Sequence, residues 1–478
     1  MSPRIRFAIL LLVAAGRAPL HAQTVPEKVN ALMEKYLAYG QFNGSVLVAD
    51  REGILFKRGY GFANVEWDVP NAPDTKFRLG SVTKQFTSML VMQQVEIGTI
   101  RLDAPISRYL PDYPKPQGDR VTVRHLLTHT SGTPNYTSLP GFRDDRGIYP
   151  LEKLVARFSS LPLEFAPGTS WKYSNSGYVV LGAILEKVTG IPYERLLQEK
   201  IFRPLGMKNS GYDHSEPILK KRAAGYENRG RLVNADFLDM SVPFSAGALY
   251  STVEDLFLWD RALYGDSLLP ERRKTEYFTP FLHNYAFGWG VGKIGVGKSK
   301  DSVMATWHGG GINGFNTLIV RVPEFRQLVV LLNNTGGTRL EEMSTAILGI
   351  LHGVPYASAR RSLADTLGSA IRGKGVAGMR AAYADLAART TEYYMSEEEI
   401  NQLGYNLLQE GKKREAIEVF TANAEAFPRS WNVYDSLGEA YMVDEQTALA
   451  IKNYEKSIEL NPGNAAGVGM LKKLKDGR

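Results

Sequence analysis

The sequence predicts a mixed α/β (α+β) architecture, an antiparallel sheet flanked by helices together with a helical region, followed by an all-α C-terminal segment. Three observations carry that expectation. Strand-like runs lie at both ends of one long segment with helical patterns between them, so a single sheet drawing on both ends is the simplest layer arrangement. Strand character ceases near Pro355, and from there Ala, Glu, Lys, Arg and Leu dominate. The last part of the chain then repeats itself, Leu403 recurring as Leu437, a period of 34 residues.

In chain order, residues 25–39 are amphipathic, and residues 44–49 and 54–58 read as two strands around the turn Asp50-Arg51-Glu52-Gly53. Ser81 opens a helical pattern in which Val82, Phe86, Met89 and Leu90 recur at helix spacing, with Gly98 as the stop. Residues 103–150 are loop-rich. A second apolar helix covers residues 178–188, after the Pro167-Gly168-Thr169 turn and before Gly190. Residues 317–322 and 327–332 form two further strands joined through Pro323-Glu324-Phe325.

The 478 residues are 44% hydrophobic and 22% charged, a globular composition that excludes a fibrous or mostly disordered chain and leaves room for two or three domains. With no cysteine, a thiol nucleophile, a disulfide framework and cysteine-ligated metal sites are excluded. Net charge is +7, of which Arg4, Arg6 and Arg17 contribute 3 within residues 1–22, leaving 54 bases against 50 acids. Bases and acids are interspersed, so no nucleic acid partner is expected. Residues 1–22 read as a secretory signal: Arg4 and Arg6, an apolar run too short to span a bilayer, then Leu20-His21-Ala22. A retained anchor is the alternative. The mature chain is expected to be periplasmic or secreted, with no stable membrane span.

Chemistry concentrates in three places. In Ser81-Val82-Thr83-Lys84 the hydroxyl and the amine lie i, i+3 apart on one helix face. A serine becomes a nucleophile when a neighbour takes its proton, and a lysine does so only if its pKa falls from ~10.4 toward neutrality. Tyr173-Ser174-Asn175 offers a phenol as proton shuttle and an amide to orient the lysine or a substrate. The similar Tyr226-Glu227-Asn228 is read as a turn. His308-Gly309-Gly310-Gly311 opens the late strand pair and exposes backbone N–H groups to a developing oxyanion; losing one such donor costs ~100–1000-fold in rate.

Together, in this order, these three motifs resemble the serine β-lactamase and penicillin-binding-protein superfamily, specifically its class C branch of β-lactamase-related hydrolases. The stretch His125-Leu126-Leu127-Thr128-His129-Thr130-Ser131-Gly132 is similar to a further landmark of that branch. So are Pro204-Leu205-Gly206-Met207, Gly247-Ala248-Leu249-Tyr250-Ser251-Thr252 and Phe287-Gly288-Trp289-Gly290. The resemblance covers residues 25–351 and implies a β-lactamase/DD-peptidase-like fold with neither metal nor cofactor. It implies Ser81 as acylated nucleophile, Lys84 as base partner and Tyr173 as proton relay, leaving open which of the last two accepts the first proton. It further implies Asn175, His308, Gly310 and Gly311 as substrate-binding residues, with the N–H groups of Ser81 and Gly311 as the oxyanion hole. One departure matters: where the family often has Lys-Thr-Gly, His308 stands for the lysine. A histidine with pKa ~6.5 is mostly neutral at pH 7 and attracts a carboxylate weakly.

In the C-terminal part, Leu403, Gly404, Ala416, Ile417, Phe420 and Pro428 recur as Leu437, Gly438, Ala450, Ile451, Tyr454 and Pro462. The pattern resembles two tetratricopeptide repeats, and helices within residues 360–388 are expected to complete the stack. The expected division is a signal at 1–22, a hydrolase domain at 25–353, a helical linker at 354–398 and repeats at 399–478. The function expected is an exported serine hydrolase cleaving a small-molecule ester, amide or peptide through a Ser81 acyl-enzyme. The alternatives are a D-alanyl-D-alanine carboxypeptidase or β-lactamase, and an inactive binding protein whose repeats dock a protein partner. Three other patterns carry less weight. Residues 292–299 fit a phosphate-loop pattern, but a strand follows where a helix is required. His125 and His129 lack the Glu of a metal-binding helix and are assigned structural roles. No Gly-x-Ser-x-Gly elbow occurs in the chain.

Overall fold

The computed structural model describes residues 23–142, 146–228 and 231–476; the segment 1–22 read as a signal lies outside them. Helix α1 (Val25–Ala38) starts at a capping box in which Thr24 and Glu27 satisfy each other's backbone N–H groups. Its Val29, Leu32, Met33 and Tyr36 form one buried stripe. Strands β1 (Gly44–Asp50) and β2 (Gly53–Tyr60) follow as the expected hairpin. A 3₁₀ turn, Gly80–Val82, then leads into α2 (Thr83–Glu96). The α-helix thus begins two residues after Ser81, not at it. Helix α3 (Asn175–Thr189) ends on Gly190 at φ 67°, the left-handed stop that glycine adopts without strain.

The late strands are β3 (Gly290–Gly295), β4 (Ser302–Ile312), β5 (Phe315–Val322) and β6 (Gln327–Asn333), followed by α4 (Leu340–Leu351). They join the N-terminal hairpin in one antiparallel sheet ordered β3-β4-β5-β6-β1-β2. Alternation along β1 divides the core. Val46 and Val48 meet α1 and α4, whereas Leu47 and Ala49 face α2 and the helical region. Each fully buried large apolar side chain contributes ~1.5–3 kcal/mol, so the sheet centre, closed on both faces, is the stable frame.

Two local expectations are corrected. Tyr226-Glu227-Asn228 is not a turn but a short strand, paired in parallel with Thr335–Gly336 and antiparallel with Leu232–Asn234. Its Tyr226 hydroxyl donates to Glu66, and neighbouring backbone supplies the pairing that a local sequence cannot reveal. The glycine run does not open a strand: His308 to Gly311 lie inside β4, continuing the strand that starts at Ser302. The phosphate-loop pattern spans β3 and the turn that leads into β4, as its strand context requires.

Past residue 352 the chain is mainly helical. Helix α5 (Leu363–Leu386) is broken at Gly375, and the two-residue strands Arg361–Ser362 and Tyr393–Tyr394 pair within a stretch expected to contain none. Helices α6 (Glu397–Gln409), α7 (Lys413–Ala426), α8 (Trp431–Val443), α9 (Thr447–Leu460) and α10 (Ala465–Lys475) complete it. Leu363, Leu367, Ile371 and Met379 of α5 share one core with Ile400, Leu403, Phe420 and Leu437. The repeated glycines have the same physical cause. A Cβ on Gly404 would lie 2.5 Å from the Phe420 ring, and one on Gly438 would lie 3.2 Å from the Tyr454 ring. Among the described residues no helix is long and apolar enough to cross a membrane.

Gly310 joins the sheet to the site. A Cβ there would overlap the Leu79 carbonyl and the Thr317 hydroxyl, which are themselves hydrogen-bonded at 2.7 Å. Gly310→Ala is therefore expected to cost about 1–3 kcal/mol, read as a lower urea midpoint at unchanged slope.

Candidate active site

Ser81 is held by close approach of two backbones. Gly80 has φ 52° and packs on β4, where a Cβ would come within 3.0 Å of Gly311 N. Only a residue without a Cβ combines that conformation with that contact. The N–H of Gly311 thus lies beside the Ser81 turn, where an oxyanion donor is required.

Lys84, in the first turn of α2, is fully buried. Its Nζ lies 3.0 Å from Ser81 Oγ, 2.8 Å from Asn175 Oδ1 and 2.8 Å from the Ala246 carbonyl. These partners are uncharged, and among the described residues no carboxylate pairs with the amine. Burial alone therefore pulls its pKa well below the ordinary lysine value. An ammonium in such a place is costly, whereas a neutral amine keeps a lone pair for the Ser81 proton.

Tyr173 is half-buried, with its phenol oxygen out of reach of solvent and its ring centred 4.8 Å from Lys84 Nζ. Burial pushes the phenol pKa up, and the nearby Ser81 hydroxyl offsets part of that rise. The phenol oxygen nonetheless completes no hydrogen bond of good geometry, so it faces the nucleophile without a settled partner. The segment after α2 holds this loop. Lys172 N–H donates to the His129 carbonyl at 3.0 Å, and Ser174 N–H donates to His129 Nδ1 at 3.2 Å. Asn175 N–H donates to Asn135 Oδ1 and its side-chain amide to Thr137.

His308 lies in the same enclosure, with Nδ1 2.6 Å from the Gly309 carbonyl and Nε2 2.9 Å from the Tyr285 hydroxyl. Burial is the main cause that lowers its pKa to about 3. The ring is therefore neutral throughout the physiological range.

The structure brings Ser81, Lys84, Tyr173, Asn175, His308, Gly310 and Gly311 together. It adds residues that the sequence did not place beside the nucleophile motif. His129, at φ 58°, stacks its ring 4.2 Å from Tyr173 and 4.6 Å from Tyr285, and burial holds it neutral. Tyr178 stands 5.4 Å from Lys84 Nζ. The landmark runs containing His129 and bordering Tyr285 were the only sequence signals for these positions, and neither named a contact. His125 does not share a ligand with His129: its Nδ1 accepts the Thr122 N–H and caps a helical turn. Among the described residues no group of three or more His, Asp or Glu side chains converges as a metal site.

Lys84 also leaves a signature in stability. Between its folded pKa and ~10.4 the unfolded chain binds the proton that the folded chain does not, so this residue makes stability rise with pH. The difference in unfolding free energy, wild type minus Lys84→Met, is expected to increase toward pH ~10 by up to about 1.4 kcal/mol per pH unit, measured by urea titration.

Comparison with known proteins gives the family. The family model described as Beta-lactamase matches residues 29–352 and stops before the C-terminal helices. Penicillin-binding protein 4* of Bacillus subtilis (strain 168) is 31% identical over 365 residues, covering 70% of this chain and 76% of the relative. Esterase EstB of Burkholderia gladioli is 36% identical over 214 residues, covering 41% of this chain and 54% of the relative. The crystal structure of D-amino acid amidase from Ochrobactrum anthropi SV3 superposes with a TM-score of 0.60 at 25% identity, covering 69% of this chain and 98% of the amidase. By the family model over residues 29–352 and the similarity to penicillin-binding protein 4*, the chain belongs to the beta-lactamase family, as a β-lactamase-related serine hydrolase.

Proposed function

We propose that the protein hydrolyses an ester or amide of a small molecule through an acyl-enzyme on Ser81. One observation carries the reading: a fully buried amine, Lys84 Nζ, held 3.0 Å from the Ser81 hydroxyl, with burial pulling its pKa well below the ordinary lysine value. Burial that turns the amine into a base also makes the phenolate unfavourable, which favours Lys84 as the first proton acceptor. In the acylation step the Ser81 proton passes to Lys84 as Oγ bonds to the carbonyl carbon. The carbonyl electron pair moves onto oxygen, beside the N–H groups of Ser81 and Gly311. When the tetrahedral species collapses, the leaving alcohol or amine takes the proton, relayed by Tyr173, and departs. Water then repeats the sequence and frees the acid.

The neutral His308 supports substrates without a carboxylate at the third motif. The relatives named as an esterase and a D-amino acid amidase supply the two substrate classes. The relative named as a penicillin-binding protein supplies the competing reading, a D-alanyl carboxypeptidase or β-lactamase. Motif order supports placement in the class C branch. The basic and apolar pattern of residues 1–22 supports export to the periplasm or beyond, with a mature chain starting near residue 23. The 34-residue period supports two tetratricopeptide repeats at 399–478, stacked on the 354–398 segment, with a surface for a protein partner.

Ser81→Ala is expected to lower hydrolysis of p-nitrophenyl butyrate by ~10³-fold or more, and Lys84→Arg to do the same without recovery at high pH. Nitrocefin turnover by the wild type is expected to be slow, and equal ester rates in wild type and Ser81→Ala would eliminate the enzymatic reading. A persistent penicillin adduct on Ser81 in the intact mass would shift the assignment to the D-alanyl class. Expression in a bacterial host is expected to yield an extracytoplasmic product whose N-terminus, read by mass, lies near residue 23.

A further inference from the structure

Proton bookkeeping at His308 settles more than its charge. The Gly309 carbonyl only accepts, so the Nδ1 that faces it at 2.6 Å must carry a proton. In the neutral ring Nε2 then has a lone pair and no hydrogen. The Tyr285 hydroxyl, 2.9 Å away, is the group that donates to it. Both ring nitrogens are thereby engaged before any substrate arrives. Both residues are buried, 7% exposed each, with rings 5.7 Å apart and nearly perpendicular, so neither turns freely. Tyr285 is itself wedged between His129 at 4.6 Å and Tyr173 at 6.4 Å.

We propose that Tyr285 is a positioning residue that occupies the Nε2 lone pair of His308 and so holds the Nδ1–H tautomer set by the Gly309 carbonyl, with the result that the third motif offers no proton or positive charge and selects substrates uncharged at that end. The reasoning rests on the Ser81 hydrolase reading for its kinetic consequences, although the tautomer itself can be read without turnover. A carboxylate entering beside β4 would meet an Nε2 lone pair already occupied by the Tyr285 hydrogen. To gain a donor it would have to displace that hydroxyl and bring in a proton. Burial opposes that proton, and the groups that face His308 bring no counter-charge for it: Lys84 from α2, the His129 ring from the 128–131 segment and Tyr173 at 6.4 Å. The carboxylate of Glu341 lies on the opposite face of β4, against Gly309. An ester or amide end needs no such proton.

Two measurements test the lock. In the full chain labelled with ¹⁵N-histidine, and with His308→Gln used to assign the signal, the proton is expected on Nδ1. Its position is expected to hold from pH 8 to about pH 5.5. A proton on Nε2, or a ring that titrates near pH ~6.5, would overturn the proposal. This readout needs no substrate, so a failed ester or amide assignment leaves it intact. The second measurement compares N-acetyl-D-alanyl-D-alanine with its C-terminal amide as competitive inhibitors of p-nitrophenyl butyrate hydrolysis. The wild type is expected to bind the amide at least as well as the acid. In Tyr285→Phe the ratio should move toward the acid by about tenfold and further as pH falls, because the freed Nε2 can then take up a proton. His308→Lys should move it the same way without that pH dependence. An unchanged ratio in both variants would also overturn the proposal.

Discussion

An amine buried without a counter-ion is the constraint around which the site is arranged. Holding a charged ammonium at Lys84 would cost several kcal/mol, and the surroundings do not supply a carboxylate to offset it. They supply oxygens instead: the Ser81 hydroxyl, the Asn175 amide and the Ala246 carbonyl, each from a different segment. A neutral amine satisfied in this way is stable in the folded chain and reactive toward one neighbour, the serine. The helix that carries it is buried on nearly every side from Thr83 to Met92, which keeps the amine's surroundings poor in the water that would favour its charged form.

The sheet contributes an edge. Strand β3 pairs with β4 only from Ser302 to Trp307, so His308 to Ile312 have no β3 partner on that side. Into that gap the Gly80–Val82 turn packs, and the glycines at 80 and 310 let the two backbones approach where a Cβ would collide. The Thr317 hydroxyl, reaching from β5 to the Leu79 carbonyl, fastens the turn to the sheet. Chemistry and frame are thus joined through backbone contacts, which leaves the side chains of Lys84, Tyr173 and Asn175 free to face the nucleophile.

The enclosure around the amine is aromatic and uncharged. Tyr173, Tyr178, Tyr285, His129 and His308 crowd the same volume, and burial disfavours every charged form among them. Such surroundings keep the lysine neutral and also set what enters. A site of neutral rings and engaged hydrogen bonds suits a polar but uncharged end, which connects the identity of residue 308 to substrate class. Beyond residue 352 the helical array has its own core, built from α5 and the repeated helices.

Much of this was legible before any coordinates. Both halves of the sheet, the helix after Ser81 and the 34-residue repeat followed from local periodicity, because alternation at 2 and 3.6 residues is a property of neighbouring side chains. Ser81 and Lys84 shared a helix face by spacing alone. The strand at Tyr226 is not legible as one because it is only three residues long: one partner, Leu232–Asn234, is equally short, and the other, Thr335–Gly336, lies more than a hundred residues away. The sequence assigns His129 no more than a structural role and Tyr285 none, because a ring acquires its contacts from what packs on it. The sequence by itself determined which groups exist and which of them share one turn of backbone. Tertiary structure alone decided that the amine is neutral, that the phenol faces the serine and that His308 holds its proton on Nδ1, because burial and contact partners are properties of distant segments brought together.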